Sequence, residues 1–422
     1  MKVLVIGSGG REHAVIKSLQ RNKRISAIYC APGNGGTGCD SHCVPVKDTD
    51  IDGMTDFVLK NSIDYVVVTP DDPLVLGMTD ALEEKGIRCF GPAKSAARIE
   101  GSKIFSKNLM KKYNIPTASY EVFTDPNDAC NYIKSVFVNF PLVIKADGLA
   151  RGKGVIIAEN QREALDAIES MMGKKIFGSS GSSVVIEEFL TGPEVTVLAF
   201  TDGKTIKPMI SSMDHKRIND GNLGPNTGGM GVIAPNPYYT KEIASVCEEK
   251  IIKPTINALQ NEGILFKGCL YFGLMLTQKG PYVIEYNCRF GDPETQAILP
   301  LLETDLFDIF EAVTDGRLNE IEIKWKNEHS ACIVLASGGY PSDFKTGIAI
   351  KGLNAKGQIE SDAFIFHAGT QYKDGTFLTS GGRVMGVCAT GSSLETALEK
   401  AYRAAGLVSF EGMHYRKDIG RH

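Results

Sequence analysis

Over the first hundred residues, short apolar runs at 3–6, 25–30, 65–69 and 87–90 alternate with segments of helical character at 11–21, 54–60 and 73–85. A run that is apolar on both faces leaves no side for water, so strands of this kind need helices above and below them. Their alternation with helices predicts a doubly wound parallel sheet. The pattern changes near residue 100. A helix is expected at 102–113, ended by Ile115-Pro116. Beyond it, strands at 142–145 and 155–158 flank a glycine-rich loop, and 184–189 reads as a further strand. The runs 194–200 and 205–209 turn at Asp202-Gly203, and 269–276 and 282–287 turn at Lys279-Gly280, which are hairpin signals. Helices are expected at 161–172 and 241–262. Residues 211–236 are rich in Gly, Asn and Pro without periodicity and read as a long ordered loop. A third unit opens with a strand at 331–336 and holds a helix near 393–405.

A chain of 422 residues is too long for one compact core. We divide it into an N-terminal α/β substrate-binding domain (1–101), a central domain (102–325) with a small lid at about 115–190, and a C-terminal α+β domain (326–422). The net charge of -4 excludes a broadly basic surface of the kind nucleic-acid binders carry. No apolar stretch approaches the roughly 20 residues needed to span a bilayer, and the opening apolar run is too short for a signal peptide. A cytoplasmic protein without nucleic-acid or membrane partners is expected. The ten cysteines contain no Cys-x-x-Cys pair, and several, such as Cys269, Cys332 and Cys388, sit in apolar runs, as reduced buried thiols do.

Gly7-Ser8-Gly9-Gly10-Arg11-Glu12-His13 follows a strand and opens a helix, a setting suited to anion binding by free backbone N–H groups. A dinucleotide fingerprint needs glycine at position 12, where this chain has Glu12. It also needs an acid at the end of the second strand, where Cys30-Ala31-Pro32-Gly33 stands. With Arg11 present, a phosphate or sugar phosphate suits the loop better than a dinucleotide.

Lys145-Ala146-Asp147-Gly148 ends a strand, and Gly152-Lys153-Gly154 precedes the next. Two lysines and several unhindered N–H groups can hold and cover a triphosphate, without the Walker spacing. In Glu187-Glu188-Phe189-Leu190 a strand end offers an adenine backbone hydrogen bonds and apolar contact, and Glu194 can accept from ribose hydroxyls. Glu285 and Asn287 share one face of a strand and offer two hard oxygen ligands for Mg²⁺, with phosphates and water completing the shell.

Taken in order, these motifs resemble the ATP-grasp arrangement. Asp214-His215-Lys216-Arg217, Gly224 to Gly231, Asn287-Cys288-Arg289-Phe290-Gly291-Asp292-Pro293-Glu294-Thr295-Gln296, His367-Ala368-Gly369-Thr370, Ser380-Gly381-Gly382-Arg383-Val384 and Arg416 to Gly420 narrow it. They are similar to the phosphoribosylamine–glycine ligases, also called glycinamide ribonucleotide synthetases, and the likeness runs from residue 1 to 420. It implies a multidomain ATP-grasp enzyme of purine biosynthesis with no further pathway domain behind it. Such an enzyme joins glycine to 5-phosphoribosylamine through glycyl phosphate, with ATP as cosubstrate and Mg²⁺ or Mn²⁺ as metal.

By resemblance, Lys107, Lys145, Gly152 and Lys153 serve the ATP phosphates, Glu187, Glu188 and Leu190 the adenine edge, and Glu194 the ribose. Glu285 and Asn287 hold the metal. Arg289, Asp214 and the loop Thr227-Gly228-Gly229 are expected at glycine and its acyl phosphate, with Arg289, Lys145 and Asp214 as the catalytic set. Gly9, Gly10, Arg11, Asn34 and Asp292 complete the substrate-binding residues. The chain departs from the family at Arg151, where relatives carry a small residue, and at Thr69-Pro70-Asp71, where Gly-Pro-Glu is usual. The strand 269–276 also lacks the carboxylate that many ATP-grasp enzymes use as a third metal ligand. Two rival readings are another ATP-grasp carboxylate–amine ligase or carboxylase, and a non-catalytic nucleotide-binding regulator.

Overall fold

The computed structural model describes residues 1–135, 139–150, 154–174 and 176–421. Its N-terminal sheet is wholly parallel, in the spatial order His42–Cys43, Ala27–Pro32, Lys2–Gly7, Tyr65–Val68, Arg88–Phe90. The order reverses at Lys2–Gly7, so a crevice opens beyond the carboxyl end of that strand, where ligands enter sheets of this type. Alternate residues feed two different cores, as a period of two requires. Leu4, Ile6, Val66 and Val68 pack with Leu74 and Met78 on one face. Val3, Val5, Tyr65 and Val67 pack with Phe307 and Phe310 on the other. The helix expected at 73–85 is two helices, Asp71–Leu76 and Met78–Glu83, because Gly77 adopts a φ of +101° that ends the first. The helix expected at 54–60 begins earlier, at Ile51, because Asp50 accepts the Gly53 N–H as its N-cap.

Two antiparallel four-stranded sheets follow. The smaller has the order Tyr120–Phe123, Val184–Glu188, Leu142–Ala146, Val155–Ala158. Helices Pro126–Ile133 and Gln161–Ile168 cover it around a core of their own that includes Ile133, Ile144, Ile168 and Met171. The larger has the order Ile206–Pro208, Glu194–Thr201, Gly268–Thr277, Gly280–Asn287. Its Val195, Leu270 and Phe272 belong to the same core as Leu4 and Ile6, so the two sheets share one interior. Gly273 pairs with Glu285 but Leu274 pairs with Val283, which leaves Ile284 as the extra residue of a β-bulge.

Residues 211–236 are not the single long loop expected. They hold the strands Met213–Asp214, Arg217–Asn219, Leu223–Asn226 and Gly231–Ala234. Two of these enter the C-terminal sheet, whose order is Met213–Asp214, Gly231–Ala234, His329–Ala336, Arg383–Gly391, Phe364–His367. Strands of two to four residues are too short to show a period. The sheet of the C-terminal unit therefore begins at Met213, well before the boundary expected at 326, and main-chain pairing stitches that unit to the centre. Helix Leu394–Ala405 covers this sheet with Ala397, Leu398, Ala401 and Ala404. Among the described residues no helix is long and apolar enough to cross a membrane. Cys269, Cys332 and Cys388 are buried free thiols, as expected.

Candidate active site

The site begins at the root of the glycine-rich loop. Ser102 caps helix Lys103–Lys112 and donates to Asp147 Oδ1 at 3.0 Å, while Ile104 N–H reaches the same oxygen at 3.1 Å. Asp147 thus clips the loop to the helix. The four-residue spacing puts Lys103 and Lys107 on one helix face. Lys103 Nζ donates to Gly148 O at 2.9 Å. Lys107 Nζ and Lys145 Nζ flank the buried Glu187 carboxylate at 2.9 and 3.0 Å. Lys107 also donates to Thr117 Oγ1 at 2.7 Å, and Lys145 to the carbonyl of the bulged Ile284 at 2.9 Å. Burial pushes Lys107 down to about 8, against the pull of Glu187. Two lysines around one carboxylate leave an excess of positive charge, which a phosphate would complement.

The Glu187 carboxylate turns inward as the shared counter-charge of two buried lysines, so what it has left for the expected adenine edge is its backbone. Glu188 is exposed there, and its Oε1 accepts the Ser119 N–H at 2.9 Å. The strand ends at Glu188, and Phe189 and Leu190 follow it, partly exposed. Gly152 and Lys153, with Arg151, lie outside the described residues.

Glu285 and Asn287 stand at the end of strand Gly280–Asn287. Opposite them are Gly273 and Tyr271, so the neighbouring strand gives no carboxylate. Burial works to raise the Glu285 pKa, but Lys216, Lys145, Lys103 and Arg289 outweigh it and hold the carboxyl below its usual range. Asn287 Oδ1 accepts from Arg289 Nη2 at 3.1 Å. No cluster of three His, Cys, Asp or Glu side chains that could hold a metal occurs among the described residues. An anionic and a neutral oxygen beside a lysine-lined cleft suit a hard cation that takes its remaining ligands from phosphate and water. Lys216, to which the sequence reading gave no role, sits between the expected ribose and metal residues. Its Nζ is 3.0 Å from Glu194 Oε2 and 3.9 Å from Glu285 Oε1. Glu194 above all raises its pKa.

Arg289 donates to Glu100 Oε1 at 2.9 Å, while its buried Nε finds no partner among the described residues. Glu100, also missed by the sequence reading, is buried and accepts the Cys288 N–H at 2.7 Å. At Asp71 burial works upward, but Arg289 and then Arg11 hold the pKa below its usual value, which puts this departure from the family motif in the site's field. Asp214 Oδ1 is likewise buried and unpartnered. Burial, then the nearby Glu294, push the Asp214 pKa well up. Gly229 has a φ of +113°, and a Cβ there would lie 2.6 Å from Asp214 Oδ1 and 2.5 Å from Pro293 Cδ. The neighbouring Thr227 Oγ1 accepts the Gly229 N–H and donates to Lys216 O, while Gly228 N–H donates to the Tyr340 hydroxyl. A buried acceptor and a buried donor without protein partners are what a zwitterionic ligand would satisfy.

A pocket of about 360 Å³ opens between the N- and C-terminal units. Ser8, Gly9, Gly33 and Asn34 line one side, Tyr340, Ala368, Gly369, Thr370, Ser380, Gly381 and Arg383 the other, with Asp292 between them. Asp292 accepts the Arg11 N–H at 3.2 Å and Gln296 Nε2 at 2.9 Å, and Arg383 Nη2 lies 3.2 Å from it. Gly10 and Arg11 do not line this pocket, contrary to expectation. Gly10 is buried against Gln296, and the Arg11 guanidinium donates to Glu12 Oε1 and Phe290 O. Glu12 is buried and accepts the Gly9 N–H, filling the place where a dinucleotide loop needs glycine. The C-terminal lining is not among the site residues expected from sequence, although 367–370 and 380–384 are among the motifs that carry the resemblance.

Three family models match in order along the chain. The N domain of phosphoribosylglycinamide synthetase matches residues 1–100, its ATP-grasp (A) domain 101–295, and its C domain 330–422. The phosphoribosylamine–glycine ligase of Caldanaerobacter subterraneus subsp. tengcongensis is 49% identical over 419 residues, 99% of either chain. The crystal structure of the Thermotoga maritima phosphoribosylamine–glycine ligase superposes with a TM-score of 0.86 at 35% identity, covering 99% of this chain and 100% of that one. The biotin carboxylase domain of the Hydrogenobacter thermophilus 2-oxoglutarate carboxylase, solved with MgADP, ADP and bicarbonate, gives a TM-score of 0.74 at 17% identity, covering 98% and 91%. That last likeness is one of fold. The architecture is the multidomain ATP-grasp fold.

Proposed function

Because the chain belongs to the phosphoribosylglycinamide synthetase family, we propose that it joins glycine to 5-phosphoribosylamine, converting ATP to ADP and phosphate in purine biosynthesis. The observation that carries this reading is that Asp214 Oδ1, an acceptor, and Arg289 Nε, a donor, are both buried, both in the field of Glu294, and both without a partner among the described residues. Glycine brings an ammonium to the first and a carboxylate to the second. Arg289 and Lys145 orient that carboxylate toward the γ-phosphate, whose charge Lys107, Lys145 and Lys216 offset. Carboxylate attack on the γ-phosphorus forms glycyl phosphate and releases ADP. The sugar amine, held in the interdomain pocket by Gly9, Asn34, Asp292 and the C-terminal loops, then displaces phosphate. Glu285 and Asn287 would hold Mg²⁺ or Mn²⁺, which would supply positive charge against the phosphates. Glu188 and Leu190 receive the adenine and Glu194 the ribose, for which Lys216 must release Glu194. The work is positioning and charge neutralisation, and no nucleophilic serine or cysteine is needed.

ADP release should require glycine and phosphoribosylamine together. Equal rates with alanine in place of glycine, or with ammonia in place of the sugar amine, would favour a different ligase.

A further inference from the structure

His13 belongs to the first glycine-loop motif, yet it is not in the lining of the interdomain pocket. It is fully buried on helix Gly10–Leu19 and faces the C-terminal unit. Its Nδ1 lies 2.8 Å from the backbone nitrogen of His367, and its Nε2 lies 2.9 Å from Asp40 Oδ2. A backbone N–H can only donate, so Nδ1 must be the acceptor and the ring proton sits on Nε2, donating to Asp40. Lys17 Nζ holds the other Asp40 oxygen at 2.7 Å. The rings of Phe366 and His367 close over the imidazole at 6.1 and 5.6 Å between centroids. Burial lowers the pKa of His13 against the pull of Asp40, which keeps the ring in this neutral form.

The segment His13 grips is the one that runs on into the interdomain pocket. Ala368, Gly369 and Thr370 line its C-terminal wall. Two further bonds tie the same segment down, Asn34 Nδ2 to His367 O and Gly35 N–H to Thr370 O, each at 2.9 Å. The approach is close enough that a Cβ on Gly36 would meet the His367 ring at 2.3 Å. His367 itself reaches Thr370 Oγ1 through Nδ1 at 2.9 Å and Gly357 O through Nε2 at 2.7 Å. The wall is thus set by a relay from Lys17 through Asp40 and His13 to the main chain of residue 367.

We infer that His13 is a positioning residue: by accepting the His367 N–H it docks the 367–370 loop onto the N-terminal domain and so builds the sugar-phosphate wall of the interdomain pocket. The inference rests on the function proposed above for that pocket. Without the acceptor, the His367 N–H is buried and unsatisfied, which opposes docking. The loop then lifts, and the substrate held by it binds less tightly, while the ATP and glycine sites keep their residues.

Two variants of similar polarity separate the roles of the two ring nitrogens. In His13→Asn the side-chain oxygen takes the place of Nδ1 and can still accept from His367. In His13→Gln the amide reaches the place of Nε2 and Asp40 but leaves His367 without an acceptor. His13→Gln should raise KM for phosphoribosylamine about tenfold or more, a change of roughly one hydrogen bond, with KM for ATP and glycine little changed. It should also speed hydrogen exchange at the His367 amide, whereas His13→Asn should stay near wild type in both. Equal effects of the two variants, the reverse order, or KM changes spread over all three substrates would overturn the inference. Exchange at His367 is read without turnover, so the docking is tested even if the wild-type protein proves inactive on phosphoribosylamine, which would instead sink the functional reading.

Discussion

Glu285→Gln should lower kcat by about 10²-fold or more, because it keeps the shape of the side chain and removes the anionic oxygen from a hard-cation site. Asn287→Leu, which removes the neutral oxygen, should act in the same direction. Both proteins should fold. The hydrogen bond of Asn287 to Arg289 is replaceable, since Arg289 keeps its bond to Glu100, and Lys216, the one ion-pair partner of Glu285 among the described residues, lies 3.9 Å away. Steady-state rates over a range of Mg²⁺ concentrations test this. Near-normal activity of Glu285→Gln at ordinary Mg²⁺ would rule out the ligand role.

Arg289→Lys should lower kcat/KM for glycine by about 10²-fold, since a lysine keeps the charge but has no counterpart of the buried Nε–H that Arg289 leaves free among the described residues while its Nη2 holds Glu100 and Asn287. The lysine is the informative substitution because Arg289 also neutralises Glu100, whose carboxyl burial pushes up and Arg289 pulls down. A neutral residue at 289 would leave Glu100 buried and uncompensated, at a cost of about 3–5 kcal/mol in folding. Loss of activity in Arg289→Met could then reflect the fold. The readout for Arg289→Lys is KM for glycine against KM for ATP. An unchanged glycine KM would remove Arg289 from the glycine site.

The parallel sheet was legible because residues buried on both faces must be apolar without interruption, as Val3 to Ile6 and Tyr65 to Val68 are. The glycine loop's refusal of a dinucleotide was also legible, because Glu12 occupies the position where only glycine fits. Other features depend on partners far away in sequence. Nothing local to Glu187 tells that two lysines from different elements converge on it. Glu100 and Lys216 likewise gain meaning only from Arg289, Glu194 and Glu285. The interdomain pocket joins Asn34 to His367 across 333 residues, a contact no spacing rule reaches. The strands Met213–Asp214 and Gly231–Ala234 look like loop in the sequence because their extended form is imposed by the sheet they join. The break at Gly77 was visible as a glycine, but only its left-handed φ shows that it divides the helix.

The fate of the glycine carboxylate oxygens separates ligation through glycyl phosphate from every other use of this ATP-grasp site. With glycine labelled in both carboxylate oxygens by ¹⁸O, one labelled oxygen should leave in inorganic phosphate and the other should stay in the amide of the product, in step with ADP release. Unlabelled phosphate, or ADP released without glycine and phosphoribosylamine both present, would contradict the proposed reaction.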